Sequence, residues 1–292
     1  MIHKYDVVTI IYNPNSTGDA PAKAKHLLRE IRKKDIADKV VKTPTAYAGH
    51  AIELAKIAAT TAKRPLIIAV SGDGGYNEVI NGVLASGNNN AVCTVEGAGN
   101  ANDHWRVVHQ AGTVLDRINK RPRKIAVLKL RMTGAKQGTI YAHSYIGLGL
   151  SAKVANALNK TDLNRLNEKK ILLDTIMDNP SFRIRIAGRN RRLESIVAGN
   201  INEMAKQLKL DSDLRLTNKT FSLIIHGHTS AWKIVAHMIG LALRPTDRTQ
   251  RVTRFRGELL TSALLQSDGE TTNLPKGTKL TITRVIDALR TL

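Results

Sequence analysis

Residues 65–78 read Pro65-Leu66-Ile67-Ile68-Ala69-Val70-Ser71-Gly72-Asp73-Gly74-Gly75-Tyr76-Asn77-Glu78, an apolar run followed at once by a glycine-rich turn. The apolar run predicts a buried strand, and the residues after the turn predict a helix. Glycine lets the backbone turn its N–H groups toward an anion, and the helix N-terminus adds positive partial charge. This stretch therefore predicts a phosphate-binding loop.

A second turn of the same kind follows a second apolar run. The run is Ala91-Val92-Cys93-Thr94-Val95, and the turn is Gly97-Ala98-Gly99-Asn100-Ala101-Asn102-Asp103. Asp73 and Asp103 are the natural acidic partners for a cation that accompanies phosphate. The two turns together predict a nucleotide site.

The order of strands and helices changes near residue 122. Before it, predicted strands at 6–12, 39–43 and 65–70 alternate with predicted helices at 20–34, 49–61 and 76–84. This alternation is typical of a doubly wound parallel sheet, whose ligands bind beyond the carboxyl ends of the strands. After residue 122 strands dominate, which predicts an antiparallel domain. Its predicted strands lie at 123–131, 139–146, 181–187, 192–199, 221–226, 252–257 and 279–284, and its predicted helices at 151–159, 163–177 and 230–242.

The composition is strongly basic. The 292 residues include 45 Lys and Arg against 24 Asp and Glu, so the formal net charge is +21. Such a charge predicts a polyanionic partner or surface. Aromatic residues make up only 4% of the chain, which argues against base stacking. We therefore expect contact with an anionic membrane surface, and no specific nucleic acid.

The hydrophobic content of 42% excludes global disorder, and the single cysteine, Cys93, excludes an intramolecular disulfide. The first residues run directly into a strand without a signal-peptide pattern. No apolar run reaches the roughly eighteen residues that a membrane span needs. We expect a cytoplasmic protein whose membrane contact is peripheral.

The two turns, with further polar blocks, resemble the diacylglycerol kinase catalytic family, which includes bacterial lipid kinases and sphingosine kinases. The central block is Gly72-Asp73-Gly74 with Asn77-Glu78-Val79-Ile80-Asn81-Gly82. The other blocks occur in the family's order: Asn13-Pro14-Asn15-Ser16, Thr45 with Gly49-His50-Ala51, Gly99 with Asn102-Asp103 and Arg106, and Ser267-Asp268-Gly269-Glu270. The resemblance spans the chain from residue 10 to residue 270.

The resemblance implies an α/β plus β fold with two domains. Residues 1–122, joined by the tail 284–292, would form an N-terminal doubly wound parallel-sheet domain that binds ATP. Residues 123–283 would form a C-terminal antiparallel β-sandwich domain that binds the lipid. The implied reaction moves the γ-phosphoryl group of ATP, with Mg²⁺, to a lipid hydroxyl such as that of diacylglycerol, in a cleft between the domains.

The resemblance also assigns roles by position. Asp268 would be the general base with Glu270 as its supporting carboxylate, and Asp73 and Asp103 would hold Mg²⁺ or orient catalytic groups. Asp213 falls where some bacterial members bind a structural Mg²⁺. The implied nucleotide-binding residues are Asn13, Ser16, Thr45, Gly72, Gly74, Gly75, Asn77, Glu78, Gly99, Asn100 and Asn102.

Some positions depart from the family pattern. Gly75 and Asn100 stand where the family has threonine, and Ser151 stands where it commonly has aspartate. Two other functions therefore stay open. One is a kinase for a soluble acceptor, similar to the NAD kinases, and the other is a non-catalytic nucleotide- or anion-binding protein.

Some motifs also have simpler interpretations. Asp268-Gly269 alone predicts a hairpin turn. The histidines, His143 among them, are interpreted as side chains that are either hydrogen-bonded within the protein or exposed to solvent. The run from Gly147 to Ala152 fits a dinucleotide fingerprint but lies in the strand-rich half. Exposed strand edges in that half would allow two copies of the chain to pair as a homodimer.

Overall fold

The computed structural model describes residues 5–159, 174–175, 177–178, 181–204, 208–209, 218–229, 233 and 249–292. The chain divides into two compact units, of which the first is Met1–Ala126 with Ile286–Leu292 and the second is Val127–Val285. The domain prediction placed the boundary at 122/123 and the start of the tail at 284. Asp213 and most of the predicted helices 163–177 and 230–242 lie outside the described residues.

The first unit alternates strands and helices. Its strands are β1 (Tyr5–Tyr12), β2 (Ala37–Pro44), β3 (Pro65–Ser71) and β4 (Val92–Gly97), and its helices are α1 (Ala20–Lys33), α2 (His50–Thr60), α3 (Asp73–Ser86), α4 (Asp103–Val108) and α5 (Val114–Arg117). The strands pair in parallel in the order β2-β1-β3-β4. Their carboxyl ends therefore lie along one edge of the sheet.

Helices pack on this sheet through small and aliphatic side chains. Ala24, Leu27 and Ile31 of α1 share a buried cluster with Ile10 and Ile68 of the strands. Burial of such side chains contributes about 1.5–3 kcal/mol each for the larger ones. The helices α2 and α3 contact each other and the strands β3 and β1 or β4. No residue of α2 or α3 belongs to the buried cluster that contains α1. This is consistent with α1 on one face of the sheet and α2 and α3 on the other.

The second unit is built of antiparallel strands. They are β5 (Arg123–Gly134), β6 (Gly138–Ala142), β7 (Tyr145–Gly149), β8 (Phe182–Ile186), β9 (Arg189–Gly199), β10 (Glu203–Met204), β11 (Leu208–Lys209), β12 (Phe221–Gly227), β13 (Gln250–Val252), β14 (Arg254–Leu259), β15 (Ala263–Ser267), β16 (Glu270–Leu274) and β17 (Thr278–Thr291), with one described helix of substantial length, α6 (Leu150–Asn159). Within this unit the main path pairs β16-β15-β7-β9-β8-β14-β17.

The core of this second unit comes from the inward-facing residues of those strands. Phe182, Phe221 and Phe255 are buried there among leucines and isoleucines. The last strand, β17, places Leu280 in this core. Its final residues return to the first unit, where Arg290 pairs in parallel with Val92 of β4.

Several of the described strands differ from the predicted elements. The predicted strand 139–146 is two strands, β6 and β7, because the backbone N–H groups between them turn toward the carboxylate of Asp268. The strands β15 and β16 were not predicted, and the segment 252–257 falls across β13 and β14. No described helix is both long and apolar enough to cross a membrane.

The dinucleotide pattern at Gly147 does not correspond to a dinucleotide fold. Its strand, β7, pairs antiparallel with both β9 and β15, whereas a dinucleotide-binding unit needs parallel strands joined by a helix. Gly149 is needed there for another reason. Its φ is +76°, and a Cβ at that position would collide with the carbonyl oxygen of Glu194.

Candidate active site

The predicted nucleotide-binding loops lie together at the carboxyl edge of the parallel sheet. Asn13 and Ser16 follow β1, Thr45 follows β2, Gly72 follows β3, and Gly99 follows β4. Because these strands are neighbours, the loops form one row of polar turns. This edge is where ligands bind in open α/β sheets.

The first and last of these loops are joined by backbone contacts. The N–H of Gly18 donates to the carbonyl oxygen of Ala98 at 2.8 Å, and a Cβ on Gly18 would lie only 2.8 Å from that oxygen. Lys23, in the first turns of α1, donates from Nζ to the carbonyl oxygen of Gly97 at 2.6 Å. The sequence interpretation did not single out Lys23. The sequence feature that could have indicated Lys23 is its position shortly after the Asn13-Pro14 turn.

The two glycine-rich turns lie directly against each other. The N–H of Ala98 donates to the carbonyl oxygen of Ser71 at 2.9 Å. A Cβ on Gly72 would lie 3.1 Å from the Cα of Gly99, and a Cβ on Gly99 would collide with the backbone of Gly72. Glycine is therefore required at both positions by close approach of the two backbones.

Asp73 holds the second turn in place. Its carboxylate accepts the N–H of Asp103 at 2.9 Å and the N–H of His104 at 3.2 Å, which are the first two residues of α4. The side chain of Asp103 is fully buried and pairs with Arg106 at 2.7 Å. The structure thus brings the two predicted magnesium ligands together, with Asp73 half-buried and Asp103 enclosed.

Asn102 closes the second turn. It adopts a left-handed backbone conformation with φ of 50°. Its Oδ1 accepts the N–H of Gly99 at 2.9 Å, and its Nδ2 donates to the carbonyl oxygen of Gly99 at 2.6 Å. Asparagine tolerates this conformation better than most residues, which explains its place here. The neighbouring Asn100 is exposed at the surface of the turn.

Asn77 and Glu78 organise the helices beside the first turn. The Glu78 carboxylate accepts the N–H of Gly49 at 2.8 Å and the N–H of Ala51 at 3.2 Å. It thereby satisfies donors at the N-terminus of α2 and adds favourable negative charge there. Asn77 is buried, and its carbonyl oxygen accepts the Nδ2 of Asn81 at 2.8 Å. These contacts position helices, and none of them points to a nucleotide by itself.

The absence of a threonine at residue 75 has a steric explanation. A Cβ on Gly75 would lie 2.8 Å from the Cβ of Ser71 and 2.9 Å from its Oγ. The Ser71 hydroxyl therefore occupies the space beside Gly75 that a side chain there would need. It donates to the carbonyl oxygen of Gly72 at 3.1 Å. A hydroxyl is present in this turn after all, on a different residue.

Asp268 lies in a hairpin turn of the second unit. The strands β15 and β16 pair up to Ser267 and Glu270, which leaves Asp268 and Gly269 as the two turn residues. Their φ angles are +50° and +98°, the sign that a type I′ turn requires at both positions. The hairpin interpretation of Asp268-Gly269 agrees with this geometry. Glu270 starts β16 with an exposed side chain.

The Asp268 carboxylate is fully buried and accepts backbone N–H groups from three consecutive residues. Oδ1 accepts the N–H of Ser144 at 2.9 Å and of Tyr145 at 2.8 Å, and Oδ2 accepts the N–H of His143 at 2.7 Å. These bonds hold the break between β6 and β7. The carboxylate is thus a structural element of its own unit, whatever chemistry it performs.

His143 is a partner of Asp268 that the sequence interpretation missed. Its Nε2 lies 3.3 Å from Oδ2 of Asp268, and its Nδ1 lies 2.8 Å from the Oγ of Ser144. Both side chains are fully buried. The two residues are 125 positions apart, and no spacing motif connects them. Only the fold could reveal this pair.

The sequence of residues 7–130 matches the family model described as the diacylglycerol kinase catalytic domain. The predicted family resemblance is confirmed. The match indicates a kinase and covers every residue of the glycine-rich turns. No curated protein matches this chain in sequence.

The diacylglycerol kinase fold extends beyond the matched residues. Three solved structures from Bacillus anthracis str. Sterne cover 99% of this chain and 97% of their own, with 16–17% identity and TM-scores of 0.72–0.73. One of them carries the name diacylglycerol kinase. At this identity the likeness establishes the fold, and it confirms the predicted class of parallel strands followed by antiparallel strands.

Among the described residues, no group of three or more His, Cys, Asp or Glu side chains could hold a metal ion. A Mg²⁺ ion that accompanies phosphate needs fewer protein ligands, because it is commonly bound by one or two carboxylates together with phosphate oxygens and water. The half-buried Asp73 in the diacylglycerol kinase-like domain meets that requirement. The enclosed, arginine-paired Asp103 suits it less.

Proposed function

We propose that this protein is an ATP- and Mg²⁺-dependent lipid kinase that transfers the γ-phosphoryl group to the hydroxyl of diacylglycerol or a related lipid. The observation that carries the proposal is the pair of glycine-rich turns held against each other by Asp73. The match of residues 7–130 to the diacylglycerol kinase catalytic domain supports it.

The phosphates of ATP are assigned to the start of α3. This helix has 14 residues and begins at Asp73, so the N–H groups of Gly74 and Gly75 belong to its first turn. N–H groups of a first turn have no partner within the helix and favour an anion. Both glycines are half-exposed, and neither carries a side chain that would keep a phosphate away from the backbone.

Mg²⁺ neutralises the charge on the transferring phosphate when it is bound. Asp73 is the carboxylate that would hold it, directly or through water. Asp103 and Arg106 are assigned a positioning role, since their ion pair fixes the first turn of α4, whose N–H groups bind Asp73. Phosphoryl transfer depends mainly on such positioning and charge neutralisation.

Asp268 is assigned as the general base. A lipid hydroxyl is a weak nucleophile, and a carboxylate that takes its proton must come within about 3 Å of it. The backbone N–H groups on Asp268 fix the orientation of its oxygens, and His143 flanks the oxygen Oδ2. The net charge of +21 suits a cytoplasmic protein that reaches its lipid at an anionic membrane surface.

The test is transfer of labelled γ-phosphate from ATP to lipids in mixed micelles. Diacylglycerol, a monoacylglycerol, ceramide and sphingosine are offered separately, with NAD as a soluble acceptor. We expect labelled lipid that disappears when Mg²⁺ is chelated. Asp268→Asn should lower kcat by about 10²–10⁴-fold, the usual contribution of a general base.

Glu30→Gln, a change in an exposed ion pair with Arg29, is the matched control and should leave the rate unchanged. ATP binding by the Asp268 variant shows that the nucleotide site is intact. Labelled NAD without labelled lipid would contradict the lipid acceptor and favour the soluble-acceptor kinase. ATP binding without any product would contradict catalysis and favour a nucleotide-binding protein.

A further inference from the structure

One face of the antiparallel sheet is lined with cations. The strands β9, β8, β14 and β17 are neighbours in this sheet. Alternate residues of a strand point to opposite faces, and Ile184, Phe255 and Ile282 of these strands point into the core. The exposed cations at the alternating outward positions, which we name the arginine face, are Arg183, Arg185, Arg192, Arg254, Arg256 and Lys279.

The pairing register concentrates this positive charge. Arg183 lies directly opposite Arg192, a like-charge pair that is unfavourable unless an anion compensates it. Arg185 lies opposite Glu258, and the two side chains are 3.2 Å apart. Among the described residues, no carboxylate forms an ion pair with Arg183, Arg192, Arg254 or Arg256. The face therefore carries positive charge that its own residues leave largely uncompensated.

We infer that the arginine face docks the protein on an anionic lipid surface, an inference that rests on the proposed lipid kinase function. Adjacent strands are about 4.8 Å apart, so the guanidinium groups form a two-dimensional array suited to a plane of phosphate groups. Arg binds phosphate through a bidentate fork. The outward positions between these cations carry residues such as Thr281, Thr283 and Asn190, and no described one carries an aromatic ring that could stack on a base.

The experiment is co-sedimentation of the full chain with vesicles, without ATP. Vesicles of phosphatidylcholine alone are compared with vesicles in which about a third of the lipid is phosphatidylglycerol. The test variant replaces Arg183, Arg185, Arg254 and Arg256 by Gln. The matched control replaces four exposed lysines of the first unit, Lys25, Lys33, Lys34 and Lys39, by Gln, which gives the same change in net charge.

We expect binding only to the anionic vesicles and a progressive loss of binding as salt is added. Each cation lost from a membrane contact weakens binding by roughly five-fold before screening, so the test variant should bind at least ten-fold more weakly. The lysine control should change by less than about three-fold, because charges that do not belong to the docking face contribute only through the screened overall field. Thermal unfolding curves that match the wild type verify that both variants fold.

Equal weakening by both variants would overturn the inference, since net charge alone would then explain binding. If the test variant lost affinity for duplex DNA and kept its affinity for vesicles, the face would be a nucleic-acid surface and the inference would be wrong. Phosphorylation of a water-soluble short-chain diacylglycerol separates this inference from the proposed function. If the short-chain lipid is phosphorylated but vesicle binding does not depend on the arginines, the docking inference is wrong and the kinase proposal stands. If vesicle binding depends on the arginines but no lipid is phosphorylated, the kinase proposal is wrong and the docking inference stands.

Discussion

The glycine-rich turns of the first unit and the Asp268 hairpin of the second unit both depend on a carboxylate that accepts backbone N–H groups. The two carboxylates differ in their burial and in the backbone that supplies the donors. Asp73 accepts two N–H groups that α4 already aligns, and it stays half-exposed. Asp268 accepts three N–H groups where the backbone leaves the strand, and it is fully buried. The side chain of Asp73 is therefore within reach of water, whereas Asp268 is enclosed and is the acceptor for three buried donors.

The largest expected effect follows from Asp268. In Asp268→Asn one side-chain oxygen can still accept the N–H groups of Ser144 and Tyr145, but the amide nitrogen then faces the N–H of His143. We expect a loss of about 1–3 kcal/mol in the free energy of unfolding, the usual cost of an unsatisfied buried donor. Hydrogen exchange at the amides of residues 143–145 should accelerate.

Asp73→Asn is the comparison variant for this measurement. Its exposed edge lets water replace the lost acceptor, so the free energy of unfolding should fall by only about 0.5–1 kcal/mol. Exchange should accelerate at residues 103 and 104 and stay unchanged at 143–145. Equal losses in both variants would show that burial does not distinguish the two carboxylates.

A substitution in the first glycine-rich turn probes how closely it is packed. Gly75→Thr introduces a Cβ 2.8 Å from the Cβ of Ser71, and we expect it to destabilise the protein by about 1–3 kcal/mol through overpacking. The double variant Ser71→Gly with Gly75→Thr removes the collision and should recover most of that loss. Urea unfolding of the three proteins measures the effect.

Ala85→Thr is the matched control for this series, because Ala85 is exposed in the same helix α3. It should cost only the difference in helix propensity, about 0.7 kcal/mol or less. A double variant no more stable than Gly75→Thr would mean that Ser71 does not set the residue allowed at position 75.

The smallest expected effect concerns Glu96, which precedes the second turn. Its carboxylate accepts a single backbone N–H, from Val114 at 2.7 Å, and burial raises the pKa of Glu96 above its ordinary value of 4.5. Because this pKa is higher in the folded than in the unfolded protein, the contribution of Glu96 to stability is largest below pH 4.5 and is lost as the pH rises through the folded-state pKa.

Glu96→Gln removes this titration and keeps an oxygen for the N–H of Val114. The variant should therefore gain stability relative to the wild type between pH 4.5 and neutral pH. Melting temperatures at several pH values give the difference. A difference that is constant with pH would contradict the effect of burial on this carboxylate.

The sequence predicted the fold where local pattern and tertiary structure agree. The apolar run 65–70 and the turn after it define β3 and the start of α3, and the alternation of strands and helices defines the parallel sheet. The strands β15 and β16 escaped prediction because their hairpin is short and reads only as an Asp-Gly turn. The strand β15 also pairs with β7, which lies far earlier in the chain, and local propensity does not identify such a partner.

The candidate site was predictable as a set of residues but not as a set of contacts. Glycine, aspartate and asparagine in these turns indicated a phosphate site, yet Asp73, Glu78 and Asp268 each bind backbone N–H groups of a distant segment. Every residue except proline carries such a donor, so the sequence holds no sign of which one is used. For the same reason, the sequence did not indicate that His143 lies beside Asp268.

The last strand has a consequence for how the protein is synthesised. Leu280 and Ile282 of β17 belong to the core of the second unit, while Leu292 belongs to the core of the first. The ribosome therefore releases residues 1–126 long before the segment that completes their sheet edge and core exists. The edge of the first sheet at β4 is therefore completed only after the second unit has been synthesised, and a fragment cut at the unit boundary would leave β4 without the pairing that Arg290 provides.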